Sequence, residues 1–473
     1  MKYWKLKLRA SFIAVGVVIG SAQAAMTETL ADALVGAYNH SGLLEQNRAL
    51  LRAADEDVAT AAAALLPIVN WAADVTRTVG DSVSTGFAGG LQSNDILTTT
   101  ATIELIAQWQ LYDFGADSAR IEAQKETVLA TRARLTSIEQ QILLRAVAAF
   151  MNVRREVENV ALRQNNVRLL TEELRAARDR FDVGEVTRTD VALAEAALAE
   201  ARSGLAAAEG NLVQARAEYR NAVGRNPGSL TPPRALPGVQ RDPASEREVA
   251  LRTHPYFDEA QRRVAAAELL ISAAERDMKP TVTLNSRIGV EDNLNSSAFS
   301  NTGSIGVEIG GPIYQGGRLS SLARRAMATR DSERSNLHIV RHDVEQDVSN
   351  AFADLLSARA QLDASERQIS AARIAFQGVR EEATLGARTT LDVLDAEQEL
   401  LDAQANRIAA QANQYIAAYS LLSAQGLLTA ERLRLPVQIY DPSAYYNLVK
   451  DGVAKKSRQG RQLDRVLRAL QKD

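Results

Sequence analysis

Four histidines, at positions 40, 254, 338 and 342, are the side chains best suited to metal or proton chemistry, and only His338 and His342 stand close together. Their i, i+4 spacing puts both imidazoles on one face of a helix, where a pair can chelate a metal. The glutamate that completes a zinc-protease motif is missing, and a solvated helix face is the plainer reading. Glycines at 303, 306, 310, 311, 316 and 317 are not followed by Gly-Lys-Ser/Thr, so they do not make a phosphate cradle. The absence of cysteine excludes disulfides, thiolate metal sites, a Cys nucleophile and a lipid-modified cysteine. No nucleophile elbow is present either. The sequence therefore points to no catalysis, no cofactor and no metal site.

The chemistry that remains is electrostatic and sits in two related turns, Asp182 to Val191 and Thr384 to Val393. Gly184 and Gly386 permit the left-handed backbone that ends a helix. Thr187 with Asp190, and Thr389 with Asp392, form the Thr-x-x-Asp pattern that caps the start of the next one. Capping accounts for those four polar residues. It does not account for Arg388, whose counterpart is Val186, or for Asp395, whose counterpart is Leu193.

The turns are related because the chain is duplicated. The stretch from Trp109 to Gly224 reads again, ungapped, from Gly311 to Gly426, an offset of 202 (311 minus 109). Tyr112, Gly115, Phe150, Glu195 and Leu198 recur as Tyr314, Gly317, Phe352, Glu397 and Leu400. Between Ala116 and Val183 there is neither Gly nor Pro, and strong helix formers dominate, which predicts a single helix reaching roughly 100 Å. Val153, Val160, Val167, Leu174 and Phe181 are spaced seven apart, the period of packed, supercoiled helices; the second copy supplies Leu355, Leu362, Ile369 and Phe376. The stripe resumes after each turn, as Val191 to Tyr219 and Leu394 to Leu422, so each copy should be a long antiparallel hairpin. These stripes are scaffold.

Ahead of each hairpin the period falls to two. Val69, Trp71, Ala73 and Val75 alternate with Asn70, Ala72, Asp74 and Thr76, and Ile103 to Trp109 continue the pattern. The second copy opposes Val282, Leu284, Ile288 and Val290 to Thr281, Thr283, Asn285 and Arg287, then Ile305, Val307 and Ile309 to Ser304, Gly306 and Glu308. Two strand pairs are predicted, each enclosing a polar Gly/Ser/Asn loop. Pro67 to Tyr112 is 45 positions and Pro280 to Tyr314 is 34, so the first loop should be 11 longer. Strand texture leaves open a half-buried soluble sandwich or a membrane barrel with a wet lumen. Four strands cannot close a barrel, which needs about eight or more, yet the signal peptide and the sixty-residue helices provide no soluble core to cover them, so several chains must share one barrel.

The N-terminus carries Lys2, Lys5, Lys7 and Arg9, an apolar run from Phe12 to Ile19 and Ser-Ala-Gln-Ala, so residues 1–24 read as a cleaved signal peptide. Losing four positive charges from a net −3 leaves −7, and nucleic acid is not an expected partner. The chain then divides into repeat 1 (25–224), a linker at 225–248 holding five of the eleven prolines, repeat 2 (249–426) and a tail (427–473). The tail contains Asp441-Pro442-Ser443-Ala444-Tyr445-Tyr446 and a basic end with Lys455, Lys456, Arg458, Arg461, Arg465 and Arg468. No segment after the signal is apolar enough for a membrane helix, so any membrane crossing must use β-strands.

With its duplicated strand pair and helix hairpin, Tyr112-Asp113-Phe114-Gly115 and Tyr314-Gln315-Gly316-Gly317 at the strand-to-helix junctions, and Gly-x-x-Thr-x-x-Asp-Val at both turns, the chain resembles TolC-like outer-membrane channels over its mature length. The resemblance implies a mainly α fold with a small β part. Three copies would form a twelve-stranded barrel in outer-membrane lipid and an α-helical tunnel through the periplasm of a Gram-negative cell. It implies that Val183, Gly184, Glu185, Leu385, Gly386 and Ala387 are tips that dock a periplasmic adaptor protein. It further implies that Asp392 and Asp395 form constricting rings, and that Arg388 with Thr189 and Asp190 links neighbouring hairpins. Ala383 stands where a tyrosine can join such a link, which leaves the closed state held less tightly or by other contacts. The implied function is a passive exit duct fed by an inner-membrane ABC or RND transporter. The missing lipid-site cysteine and the Asp-Pro-Ser-Ala-Tyr-Tyr tail look more like type I protein secretion than small-molecule efflux. A structural coiled-coil or adhesin trimer is the reading from a different class.

Overall fold

The computed structural model describes residues 27–85, 89–233, 235–238, 242–450, 458, 460–462 and 465. The signal peptide at 1–24 lies outside them, as do Lys455, Lys456 and Arg468. The first half runs β1 (Thr27–Glu28), α1 (Leu30–His40), α2 (Gly42–Ala63), β2 (Ile68–Thr85), β3 (Leu91–Tyr112), α3 (Ala116–Asp182), α4 (Arg188–Val223) and β4 (Ser229–Leu230). The second runs α5 (Pro243–Thr253), α6 (Pro255–Arg276), β5 (Thr281–Asn293), β6 (Phe299–Gly310), α7 (Arg318–Thr384), α8 (Thr390–Ala424) and α9 (Pro442–Val449).

The duplication extends further upstream than the aligned sequence indicates. The short helices α1 and α2 match α5 and α6 residue for residue in length, at an offset of 213 (243 minus 30), against 202 for the long helices. The difference of 11 is the extra length of the first strand pair. Those residues are ladder rather than the expected loop: β2 and β3 stay in register up to Thr85 opposite Leu91. The reason is legible in retrospect, since Val79 and Val83 continue the alternation and Leu97 to Thr100 is rich in β-formers. At 18 residues β2 is about 60 Å long, well beyond the 9–11 residues a bilayer needs.

The four long strands form one antiparallel sheet in the order β2-β3-β5-β6. Its register gathers the predicted apolar residues on one face: Trp71 opposes Leu105, which opposes Ile288, and Ala73, Ile103 and Val290 follow in the next row. That face is uncovered, with Trp71 76% and Ile305 75% exposed. The other face carries Asn70, Asp74, Thr76 and the Arg287–Glu104 ion pair at 3.2 Å. Neither β2 nor β6 has a second neighbour among the described residues.

The helical layer repeats this arrangement. Helix α3 packs against α2 and α6, α6 packs against α7, and the two hairpins meet where α8 contacts α3 and α4. The main core joins Leu34 and Tyr38 of α1, Leu143, Val147 and Phe150 of α3, Tyr219 of α4, and Leu428 beyond α8. Heptad positions Val153, Leu174, Leu198, Leu355, Phe376 and Leu401 are buried as their period requires, while Phe181 near the turn is exposed. The two outer helices are not equally covered. Helix α3 buries Ala119, Ile121, Val128 and Ala133 beneath its neighbours, whereas α7 buries no described residue between Ala323 and Val344.

The inner helices end on glycines pressed against the short helices. Gly224 (φ +86°) abuts His40 at the end of α1, and Gly426 (φ +75°) abuts Thr253 and His254 at the end of α5. A Cβ on Gly426 would fall 2.6 Å from the Thr253 carbonyl oxygen and the His254 Cα. Backbone atoms cannot give way as a side-chain tip can. Gly426→Ala is therefore expected to destabilise the channel by about 1–3 kcal/mol, read as a lower midpoint in denaturant titration, with little effect from the control Gly378→Ala, where an added Cβ meets nothing within 4 Å.

Candidate functional site

The two turns join α3 to α4 and α7 to α8 and lie at the same end of the molecule. Each follows the same local logic. Phe181 and Ala383 carbonyls accept from Gly184 and Gly386 N–H at 3.0 and 3.1 Å. Both glycines are left-handed, at φ +80° and +76°. Thr187 then caps α4: its Oγ1 accepts from Asp190 N–H at 3.3 Å, and Asp190 Oδ2 accepts from Thr187 N–H and Oγ1–H at 2.9 and 2.7 Å. Thr389 and Asp392 do the same for α8 at 3.3, 2.9 and 2.8 Å. These bonds to Thr187 and to Thr389 hold both carboxyls below the usual aspartate range.

The geometry places the sequence-derived site residues as follows. Val183 (72% exposed) and Leu385 (85%) are apolar tips open to solvent beside Gly184, Glu185, Gly386 and Ala387. Arg388 Nε donates to Glu382 Oε2 at 2.9 Å within its own turn, rather than to Thr189 or Asp190 of the other hairpin. Thr189 is exposed. Asp190 is engaged by Thr187 in its own cap, and the side chain of Thr390 in the other hairpin helps to hold its carboxyl low. Asp392 uses one carboxylate oxygen in the cap, and Asp395, one turn on, faces a groove of about 550 Å³ between α8 and the first hairpin. His338 and His342 are exposed on α7, the latter 3.8 Å from Glu345.

A second layer above the tips was not anticipated from sequence. Leu394 of α8 packs onto Leu170, Leu174, Ala194 and Leu198 of the first hairpin. Beside it Asn166 Nδ2 donates to the buried Glu397 Oε1 at 2.8 Å, and Arg380 reaches Glu173 at 3.2 Å. In the first copy the equivalent pair, Arg178 and Glu195, bond each other at 2.5 Å. The signal was available: Glu173 and Asn166 have the counterparts Ala375 and Gln368, so the repeat fails at both.

Comparison with known proteins places this architecture. The family model described as outer membrane efflux protein matches residues 35–225 and again 247–427, once on each half. The chain belongs to that family. It is an outer-membrane efflux channel, not an enzyme. It is 35% identical over 457 residues to the outer membrane efflux protein BepC of Brucella suis biovar 1, covering 95% of this chain and 98% of that one. It is 25% identical over 351 residues to the alkaline protease secretion protein AprF of Pseudomonas aeruginosa, covering 72% of each. Among solved structures, the outer membrane protein VceC of Vibrio cholerae superposes with a TM-score of 0.73 at 21% identity, over 84% of this chain and 96% of that one, which establishes the shared fold. In this family setting the one-sided apolar sheet is the wall of a barrel in the outer membrane, and the long hairpins project from it into the periplasm.

The caps stabilise the tips independently of any partner. Thr187→Ala is expected to cost about 1 kcal/mol of local stability and to speed amide hydrogen exchange at Asp190 and Val191, while exchange in the middle of α3 stays unchanged.

Proposed function

We propose that three copies of this chain close into one duct, a twelve-stranded barrel continued by a helical tunnel, and that the duct passively conducts cargo handed over by an inner-membrane transporter through a periplasmic adaptor. The observation that carries this reading is the matched pair of unfilled edges. The sheet ends in β2 and β6, and the helical layer, in the order α2, α3, α6, α7, ends with one bare side of α7. Adding β2 and α2 of a second copy to β6 and α7 of the first fills both edges with one rotation. Repeating a head-to-tail contact of this kind generates a ring. Four strands per chain make three copies the smallest number that gives a barrel with a lumen wide enough for cargo.

In this reading the exposed Val183 and Leu385 are the apolar anchors of the adaptor-docking tips, and Asp392 and Asp395 converge as rings of like charge near the periplasmic mouth. Such rings repel anions and concentrate cations. Arg388 acts in the closed tip, with Glu382 as its partner in the chain and Thr189 and Asp190 of a neighbouring hairpin as its further reach. Opening requires the hairpins to part when the adaptor engages them. Arg388→Ser is expected to raise single-channel conductance in planar bilayers; unchanged conductance would remove Arg388 from the lock.

The cargo is chosen upstream of the duct. Type I protein secretion is the reading favoured by the Asp-Pro-Ser-Ala-Tyr-Tyr tail and by the likeness to a protease secretion protein, whereas the likeness to an efflux protein, BepC, favours the alternative of a small-molecule efflux duct. A deletion strain separates them. Loss of an exported protein from the medium with unchanged sensitivity to dyes and detergents supports secretion, and the converse supports efflux.

A further inference from the structure

We propose that Glu397 is a proton-operated latch between the two hairpins of one chain, holding them together when its carboxyl is neutral and loosening them when it ionises. The inference rests on the reading of the tips as the moving part of the duct, and it adds a regulator to them.

The geometry is that of a buried acid at the interface between two hairpins. Glu397 is 6% exposed on α8 and is wedged against α3 of the other hairpin. Its Oε1 accepts from Asn166, and its Oε2 is buried with no hydrogen-bond partner among the described residues. An ionised carboxylate held there would be short of partners, whereas a neutral carboxyl costs far less to bury. Burial raises its pKa from the ordinary 4.5 to about 7, with Glu173 adding to the rise and Asn166 and Arg380 opposing it. The groups facing it are Asn166, Glu173 and the groove-lining Arg163 from α3, Glu200 from α4, Arg380 from α7, and Asp395 and Gln398 from its own helix.

The first copy supplies the alternative state. There Glu195 is half-exposed and paired to Arg178 within its own hairpin. In the second copy the equivalent Arg380 instead bridges to Glu173 on the other hairpin, leaving Glu397 without its arginine. Ionising Glu397 creates a competitor for Arg380 inside its own hairpin. Forming the Arg380–Glu397 pair would break the cross-hairpin bridge to Glu173 and withdraw Glu397 from Asn166 in one movement. The carboxyl O–H gives its proton to solvent water, and beyond that only ion pairs and hydrogen bonds are exchanged.

The sign follows from linkage. A carboxyl neutral in the packed state and ordinary in the separated state favours packing fully below pH 4.5, and the advantage is lost as pH rises through about 7. Between pH 5 and pH 8 the packed fraction should fall by roughly tenfold or more relative to the separated one. The Asp392 cap is not the source of this window, since its carboxyl is held low. Asp55 is one further candidate source: this acid, buried between α2 and the tail, has its pKa pushed up by burial to about 6, with Arg132 opposing and Glu56 adding to the rise.

Because the chain has no cysteine, Val183→Cys and Leu385→Cys can carry spin labels alone, with labelled chains diluted into unlabelled ones so that each assembly reports one pair. The tip-to-tip distance distribution of the intact channel should be narrow at pH 5 and shift or broaden at pH 8. Glu397→Gln, which keeps the neutral shape, should hold the narrow distribution at both values, while Asp55→Asn should leave the pH response intact. A distribution independent of pH, or a full pH response surviving in Glu397→Gln, overturns the latch. Bilayer conductance measured alongside keeps the two ideas apart: tips that move with pH while conductance does not would contradict the gate reading and leave the latch standing.

Discussion

Neither edge of the sheet is paired within one chain, and neither is the far side of the outer helix that stands above it. An exposed strand edge is a row of unsatisfied N–H and C=O groups, which in a hydrocarbon environment must find partners. The outward face of the same sheet bears Trp71, Ile103, Ile288 and Ile305, so the edge cannot be left to water either. Closure by further copies is the arrangement that satisfies both demands together, and the tunnel and its gate depend on it. The helices inherit their spacing from the strands, because the strand order and the helix order run in parallel and are coupled at Gly115 and Gly317, both left-handed.

The duplication gives the chain two similar hairpins, and the residues proposed for the gate and the latch stand where the likeness lapses. At the tip Arg388 and Asp395 replace Val186 and Leu193. Higher up, Glu173 and Asn166 have no equivalent in the second copy, and an arginine that serves its own hairpin in the first copy crosses to the other in the second. The contact between hairpins of one chain is thereby polar, and in the proposed ring the corresponding contact between chains would meet Ala375 in place of Glu173. Two kinds of seam alternate around such a ring, and they need not open together.

Much of the fold was legible because its strongest signals are periodic. A run without Gly or Pro from Ala116 gave α3 its ends, Gly184 and Thr187 marked the turn to the residue, and the alternating residues Val69 to Val75 and Ile103 to Trp109 fall on the face where the register puts them. The extra length of the first strand pair was read as loop because Gly80, Ser82 and Ser84 interrupt the texture, although β-branched residues between them keep the ladder. The candidate site was legible only in part. Capping residues announce themselves locally, but the partners of Glu397 and Arg380 are set by how two helices far apart in sequence lie against each other. A reading by spacing cannot supply that. It could have flagged Asn166 and Glu173 as lapses in the repeat.

Closure is tested most directly at the strand edges. Single cysteines stepped along β6, combined with one on β2, should cross-link under mild oxidation with a period of two and yield a covalent ladder that stops at three chains on a denaturing gel. Cross-linking within a single chain, a ladder ending at two, or no bond at any step would contradict the account.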